Sequence, residues 1–334
     1  MAISDYQDFR IFNDEFYGAE NEILEQFANA FNGGSQGALQ LIRADKLGHF
    51  EEEAFFTSLG SSLVSRRDLT TITAATHLGL ASDTWKSPKV NRKIGPVSNT
   101  LDSLKKIASS EEMFSFKLGQ QVAKAKQLDF LNTILTCGVT CGLKQTSGGP
   151  SGNGTVISHT TAGNTLRISY LIEAMAAMGD AQNLVAWVMR SPGYYALMGE
   201  QAGNITDRLA GATIYEGTVG TLGLPVIVTD SPALVNAAGI GVGDDSNYTL
   251  GLTAGALTVS ESEPSTVLAD IPLGNENLFV TIQGEYAFNC SVKGYSYTNT
   301  TENPTDAALG TGGNWTNKMD DQKSTGVIVI EHDE

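Results

Sequence analysis

Apolar and polar residues alternate along an unusually long stretch of the C-terminal half. From Leu278 to Val292 every second residue is apolar, interrupted only at Gly284, and mostly polar residues lie between them. This period of two residues is typical of a strand with one buried face. Such a strand would measure roughly 50 Å, whereas an average strand has ~5–6 residues.

A second long element is predicted at 109–137, where apolar residues recur at helical spacing. Ser109 and Glu112 have the spacing of a capping box, and Gly138 is the predicted end of the helix. The apolar row consists of Phe114, Leu118, Val122, Ala125, Leu128, Leu131 and Leu135. A helix of this length spans roughly 43 Å. A long helix along a long strand describes a thin slab, which favours an assembly subunit over an enzyme.

The N-terminal third is predicted to be extended around this slab. Residues 1–45 mix acidic and aromatic side chains, with a short helix near 19–31, and 46–65 has the spacing of another short helix. Residues 66–107 lose helical periodicity and predict an extended hairpin. Few large apolar residues occur there, so this hairpin cannot build a core of its own and is expected to project and to lean on another surface.

The region after the long helix predicts an α/β lobe. The expected elements are a loop at 144–164, a helix at 165–178 ended by Gly179, a buried strand at 184–189, a helix from Ser191 to about Gln201, and a buried strand at 224–228. Residues 256–260 begin the return to the long strand. Gly294 shifts the alternation and predicts a bulge. A polar loop at 300–324 and a final strand at 327–330 follow.

Charge divides the chain into three parts. The formal net charge is −16, but residues 43–126 carry an excess of basic side chains between two acidic flanks. Unlike charges favour contact between this segment and the flanks, within the chain or between copies. A folded surface whose charges balance locally would give the same pattern. Tight general binding of nucleic acid is disfavoured, since it requires a basic surface that displaces counterions.

The composition indicates a cytosolic protein. No stretch approaches the ~20 apolar residues that a membrane-spanning helix needs, and the first ten residues lack the basic and apolar regions of a signal peptide. Cys137, Cys141 and Cys290 are therefore expected to be reduced, buried thiols.

Residue patterns for catalysis or metal binding are weak. The four histidines form no HExxH motif, and Cys137 and Cys141 are too far apart for a C-x2-C metal knuckle. The glycine-rich stretch 149–155 lacks the lysine of a phosphate-binding loop, and 239–243 precedes two aspartates and not a helix. No nucleophile, base and orienting group come together. The sequence predicts no catalysis, no cofactor and no metal.

The order of the pieces is an acidic N-terminal segment, a basic extended loop at 66–107, a long helix at 109–137 and an α/β lobe. The lobe carries the run Trp187-Val188-Met189-Arg190-Ser191-Pro192 and, further along, Leu224-Pro225-Val226-Ile227-Val228-Thr229-Asp230. This order and these two motifs resemble the major capsid protein of tailed double-stranded-DNA bacteriophages, whose fold is shared with encapsulin nanocompartments. The resemblance covers about residues 40–300.

The resemblance implies an α+β fold, the phage major-capsid fold. Its regions would be an N-terminal arm (1–45), an extended loop of a short helix and a β-hairpin (46–107), a peripheral domain with the long spine helix and long strand (108–149 and 256–300), an α/β axial domain (150–255) and a C-terminal extension (301–334). The resemblance places the axial domain around local symmetry axes, and the extended loop over a neighbouring subunit.

The implied function is a structural subunit of an icosahedral phage capsid, which self-assembles into hexamers and pentamers around packaged double-stranded DNA. The DNA would be enclosed without sequence-specific binding, in a virion assembled in the host cytoplasm. Further implied partners are a separate scaffolding protein, a portal and decoration proteins, and no membrane. The expected intersubunit contacts are Arg66, Arg67, Lys86, Lys89, Arg92 and Lys93, because the basic loop would overlie an acidic surface of its neighbour. Two alternatives are an encapsulin-type compartment that encloses a cargo enzyme, and a soluble α/β enzyme or ligand-binding protein.

Overall fold

Two β-sheets share one hydrophobic core with the long helix that lies between them. This computed structural model describes residues 6–44, 48–56, 64, 66–67, 69–70, 79, 82–100, 111–144, 156–159, 164–179, 184–209, 223–241, 244–270, 276, 279–319 and 324–333. Its helices are α1 (Tyr6–Gly34), α2 (Glu111–Leu143), α3 (Ile168–Ala177), α4 (Ser191–Leu209) and α5 (Asp306–Leu309). Its strands are β1 (Leu39–Arg43), β2 (Phe50–Phe56), β3 (Ser82–Thr100), β4 (Val156–His159), β5 (Leu184–Met189), β6 (Val226–Val228), β7 (Val235–Gly241), β8 (Asp244–Thr253), β9 (Leu257–Asp270), β10 (Phe279–Val292), β11 (Tyr295–Tyr297), β12 (Trp315–Asn317) and β13 (Val327–Asp333).

The first sheet places its three longest strands side by side. β10 lies in the middle and pairs antiparallel with β9 on one side and β3 on the other. β1 lies beyond β9 and is parallel to it, β2 lies beyond β3, and β11 and β12 follow the end of β10. The predicted long strand is confirmed as Phe279–Val292, and Phe288, Cys290 and Val292 are fully buried on its core face.

The second sheet has the order β4-β13-β8-β5-β6, with β7 also paired to β8. Helices α3 and α4 cover one face, where Leu171 and Leu197 pack with Trp187 and Ile330. The predicted strands at 184–189 and 327–330 and the start of α4 at Ser191 are confirmed, but α4 continues beyond its predicted end near Gln201 to Leu209. The buried strand predicted at 224–228 is limited to Val226–Val228, and it is not buried, because it lies at the outer edge of the sheet with Val228 44% exposed. The predicted end of α3 is also confirmed, because Met178 is its C-cap and Gly179 follows with φ of 63°.

The long helix α2, here called the spine helix, extends beyond its predicted end. The sequence predicts a stop at Gly138, yet the helix continues to Leu143. A Cβ added at Gly138 would lie 3.1 Å from Leu257 of the first sheet, and one at Gly142 would lie 2.1 Å from Val329 of the second sheet. These glycines therefore let the helix approach both sheets closely, and they do not end it.

The predictions for the N-terminal third need three corrections. The arm helix is predicted near 19–31, whereas α1 begins at Tyr6 and packs along the spine helix, since tertiary contact stabilises a helix beyond its local pattern. The short helix predicted within 46–65 is wrong, because Phe50–Phe56 is a strand that pairs with the first part of β3. The predicted hairpin at 66–107 is also wrong in its pairing: β3 is one continuous strand, and its partners are β2 and β10. Residues 101–107 and most of 57–81 lie outside the described residues.

Three further differences concern the C-terminal half and the loop before it. The loop predicted at 144–164 contains β4, which pairs parallel with β13. Gly294 forms a hairpin turn with Lys293, where its φ is 93°, and not a bulge. The tail at 300–324 contains α5 and β12. The described part of 301–334 is therefore divided between the two sheets.

Candidate assembly surface

The arm helix α1 crosses the spine helix at a close approach. A Cβ added at Gly119 would lie 2.6 Å from the Phe16 carbonyl oxygen and 3.3 Å from the Ala19 Cβ. Phe16 also packs with Val267 and Ile282 of the first sheet, in a small core separate from the main one. A glycine at this position therefore allows the backbones of the two helices to meet.

A buried ionic cluster fixes the arm beside this crossing. The Lys126 Nζ lies 3.2 Å from Glu20 Oε1, 2.5 Å from Glu261 Oε1 and 2.7 Å from Ser265 Oγ. The Ser265 hydroxyl donates to Glu20 Oε1 at 2.5 Å. The side chains of Lys126, Glu20 and Glu261 are only 1%, 3% and 7% exposed. The arm, the spine helix and β9 are therefore joined by charges that water hardly reaches, and loss of one partner would leave a buried unpaired charge.

A cleft of about 380 Å³ opens beside the cluster, lined by Tyr17, Glu20, Asn21, Arg43, Glu261, Pro264 and Ser265. The Arg43 guanidinium donates to Glu261 Oε2 at 3.0 Å and to Asn21 Oδ1 at 2.9 Å. Glu261 thus accepts from a buried lysine on one side and from a half-exposed arginine on the other. This arrangement connects β1, β9, the arm and the spine helix through one carboxylate.

The sequence contains a signal for this cluster that its apolar pattern alone does not reveal. Lys126 stands three residues after Ala123 and four before Phe130, which are both buried, so it falls on the buried face of the spine helix. A fully buried lysine requires a paired charge. Its partners Glu20 and Glu261 lie more than a hundred residues away in the sequence, so only the tertiary structure identifies them.

Lys86 and Lys89, two of the predicted intersubunit residues, contact their own chain. The Lys86 Nζ lies 3.6 Å from the centroid of the Phe50 ring and 4.0 Å from Glu52 Oε1. The Lys89 Nζ lies 2.5 Å from Glu263 Oε1, and its side chain is 6% exposed. Both lysines belong to β3 and reach residues on other strands of the same sheet.

Arg92 also binds its own chain, on the core side of β3. Its Nε lies 3.1 Å from Asp129 Oδ2 on the spine helix, and its Nη2 lies 2.5 Å from Asp306 Oδ1 on α5. Asp129 further accepts a hydrogen bond from the Tyr286 hydroxyl at 2.7 Å. Burial, together with this bond to a carboxylate, raises the pKa of Tyr286 well above its ordinary value. Arg92 therefore ties three elements of the subunit together.

The other three predicted residues are exposed. Arg66 and Arg67 are adjacent in sequence, and Lys93 lies opposite Glu285 in the β3–β10 register. The structure thus separates the six basic residues into an internal group of Lys86, Lys89 and Arg92 and an exposed group of Arg66, Arg67 and Lys93.

Exposed acidic side chains occupy two other places on the same chain. Glu52 and Glu53 lie on β2, an outer strand of the first sheet. Glu15, Glu22 and Glu25 lie on the arm helix. These carboxylates are of opposite sign to Arg66 and Arg67, so the described surface exposes both acidic and basic groups.

The described residues offer little support for other kinds of site. Within them, no group of three or more His, Cys, Asp or Glu side chains is placed to hold a metal ion. No helix in the described part of the chain is long and apolar enough to cross a membrane. Cys137, Cys141 and Cys290 are buried free thiols, as the sequence predicts. Burial raises the pKa of the Cys141 thiol well above its ordinary value, which disfavours a reactive thiolate.

Comparisons with known proteins agree with the fold. The family model Gp13-like, described as "Major capsid protein 13-like", matches residues 8–328. The chain is similar to a solved cyanophage Pam1 capsid asymmetric unit, with TM-score 0.51, 11% identity and 88% of each chain covered. It is similar to a structure of Microbacterium phage Oxtober96, with TM-score 0.54, 10% identity and 89% and 90% covered, and to one of Mycobacterium phage Cain, with TM-score 0.52, 10% identity and 89% of each covered. A comparison with curated proteins gives no match. At these identities the structural likeness shows a shared fold, and it confirms the α+β fold that the sequence predicts.

Proposed function

Because the chain belongs to the Gp13-like family of major capsid proteins and is a structural subunit of a phage capsid, we propose that its copies form hexamers and pentamers around packaged double-stranded DNA. The observation that supports this arrangement is the stiff plate formed by the spine helix and the first sheet, whose core continues into the second sheet. In this proposal the first sheet and spine helix form the peripheral domain, and the second sheet forms the axial domain. Many weak contacts between plates become strong by repetition.

The contacts between plates would come from the exposed basic residues. Lys86, Lys89 and Arg92 are occupied by partners in their own chain, so Arg66, Arg67 and Lys93 are the members of the predicted set that can reach a neighbour. Their targets would be the acidic residues of the arm helix on that neighbour. Opposite charges at such an interface steer association and fix its register.

Charge reversal tests this contact. The variant R66E/R67E is expected to fold like the wild type, because both side chains are exposed, and to give far fewer shells in electron micrographs and sedimentation. The variant R66K/R67K keeps the charges and serves as the control. Reversal of the arm in E22R/E25R is expected to restore assembly of R66E/R67E. Normal shell formation by R66E/R67E would contradict the contact, and failure of the rescue would contradict the choice of the arm.

The net charge of the chain indicates how a shell of this protein would retain DNA. A chain with a formal charge of −16 repels DNA on average, so a closed wall and not specific binding would retain the genome. Assembly in the host cytoplasm with a scaffolding protein, a portal and decoration proteins completes the proposal, and the subunit itself would carry out no catalysis. Particles purified from infected cells are expected to hold nuclease-protected DNA. Particles filled with a protein cargo would point to an encapsulin-type compartment.

A further inference from the structure

Strand β1 forms one outer edge of the first sheet. The backbone of Ala38 accepts a hydrogen bond from β9, and that of Ala44 donates one to it. The odd-numbered positions between them, Leu39, Leu41 and Arg43, therefore turn their N–H and C=O groups away from β9. Among the described residues no strand pairs with this outer side.

Two side chains from the end of the arm helix bind these outward groups. The Asn32 Oδ1 accepts from the Leu41 N–H at 2.8 Å, and the Asn32 Nδ2 donates to the Leu41 oxygen at 3.2 Å. The Ser35 hydroxyl accepts from the Leu39 N–H at 3.2 Å and donates to the Leu39 oxygen at 3.0 Å. Each side chain thus provides one acceptor and one donor, as a residue of a neighbouring strand would.

An edge of this kind is a template for another chain. An unpaired row of N–H and C=O groups readily pairs with a second strand, and proteins cover such rows to prevent association. Ile42, an apolar residue of β1, is 45% exposed. The one charged residue of β1, Arg43, stands at its end and is bound to Glu261 and Asn21. Within the part of the chain that the structure describes, the side chains of Asn32 and Ser35 occupy the outward hydrogen-bonding groups of Leu39 and Leu41.

We propose that Asn32 and Ser35 seal this edge, and that the surface beneath the seal is a pairing edge for a second copy of the same chain. The partner strand would be β1 of the other copy, antiparallel about a two-fold axis, so that each copy contributes the same residues. A second copy fits because its own β1 presents the same alternation of donors and acceptors and the same exposed Ile42. The seal therefore prevents two subunits from pairing through their β1 edges, so that they assemble through their other surfaces.

The full-length chain tests this seal at concentrations at which the wild type does not form shells. The variant N32A is expected to associate at about tenfold lower concentration than the wild type in size-exclusion chromatography with light scattering, since two hydrogen bonds on the edge are opened. Hydrogen exchange at the Leu41 amide is expected to accelerate in parallel. The matched control is N21A, because Asn21 lies on the same arm helix and binds the Arg43 side chain instead of the β1 backbone.

A second substitution identifies the surface that associates. Adding I42K to N32A places a charge on the exposed edge and is expected to return the protein to its wild-type size, whereas simple destabilisation would not be repaired. If N32A fails to fold, as circular dichroism would show, N32D replaces it, because aspartate keeps the acceptor for the Leu41 N–H but cannot donate to the Leu41 oxygen. Wild-type behaviour of the folded variant, or association that I42K does not reverse, would overturn the proposal.

Discussion

The Asp230 carboxylate accepts two hydrogen bonds from Ser191, one from the backbone N–H at 3.1 Å and one from the hydroxyl at 2.6 Å. Ser191 begins α4 directly after β5, and Asp230 follows the parallel strand β6. The pairing places a negative charge at the positive end of a helix dipole. The two motifs on which the resemblance rests therefore meet in space and form one structural contact.

Removal of this carboxylate is expected to loosen the first turn of α4. These hydrogen bonds from Ser191 lower the pKa of Asp230 below its ordinary value of 3.8. The ionised carboxylate therefore stabilises the folded state at pH values above 3.8, and this stabilisation is lost as the pH falls through the pKa of the folded state. In D230A at pH 7 we expect a fall in Tm of about 2 °C and faster exchange of the first-turn amides. The variant D230N keeps an acceptor, so it is expected to lose less. Equal behaviour of D230A and wild type would contradict the capping role.

Truncation of Lys126 is expected to release the arm. In K126A, Glu20 remains buried without a cation and Glu261 keeps only Arg43, which costs about 3–5 kcal/mol of unfolding free energy. Urea denaturation measures this loss, and limited proteolysis measures exposure of α1. The control is K124A, because Lys124 is exposed on the same helix and is expected to change stability by less than about 0.5 kcal/mol. An arm as protected in K126A as in K124A would show that the cluster does not hold it.

Two glycine-to-alanine changes are expected to act in opposite directions. Alanine at Gly119 would press against the Phe16 carbonyl oxygen, so the helices must separate at a cost of about 1–3 kcal/mol. Alanine at Gly18, where a Cβ has nothing within 4 Å, is expected to stabilise α1 by up to about 1 kcal/mol through helix propensity. Thermal denaturation of both variants checks the prediction, and stabilisation by G119A would show that the crossing is looser than the structure indicates.

His332 is expected to make the second sheet sensitive to acid. Burial lowers the pKa of this imidazole below its ordinary value of 6.5, and the neutral ring donates from Nδ1 to the Asp333 oxygen and accepts from the Thr249 hydroxyl at 3.0 Å. Because the unfolded chain binds the proton first, stability is full above about pH 6.5 and falls as the pH drops towards the folded value.

Melting curves between pH 7.5 and 5 test this assignment. The Tm of the wild type is expected to fall over this interval, and that of H332N is expected to fall less. The control H49Q alters a histidine that is half exposed, and it is expected to keep the wild-type pH dependence. The same slope in H332N and wild type would assign the acid sensitivity to other groups.

Local pattern was enough to predict the elements whose burial repeats with a fixed period. The alternation from Leu278 to Val292 predicts β10, and Gly179 predicts the end of α3. The apolar row predicts the spine helix but not its buried face, because Ala125 and Leu128 of that row are exposed. Local pattern failed for Phe50–Phe56, because the spacing of Phe50, Ala54 and Phe55 is compatible with a helix. There the hydrogen bonds to β3 decided the conformation.

The sequence by itself determined the long strand, the long helix, the order of the pieces and the two motifs of the lobe, since each depends on neighbours within a few residues. Only the tertiary structure decided that Gly138 and Gly142 admit the sheets, that Lys126 joins Glu20 to Glu261, and that Lys89 and Arg92 bind their own chain. The physical reason is that the role of a charged residue or of a glycine at a close contact depends on a partner that is distant in the sequence. Periodicity records which face of an element is buried, but not what lies against it.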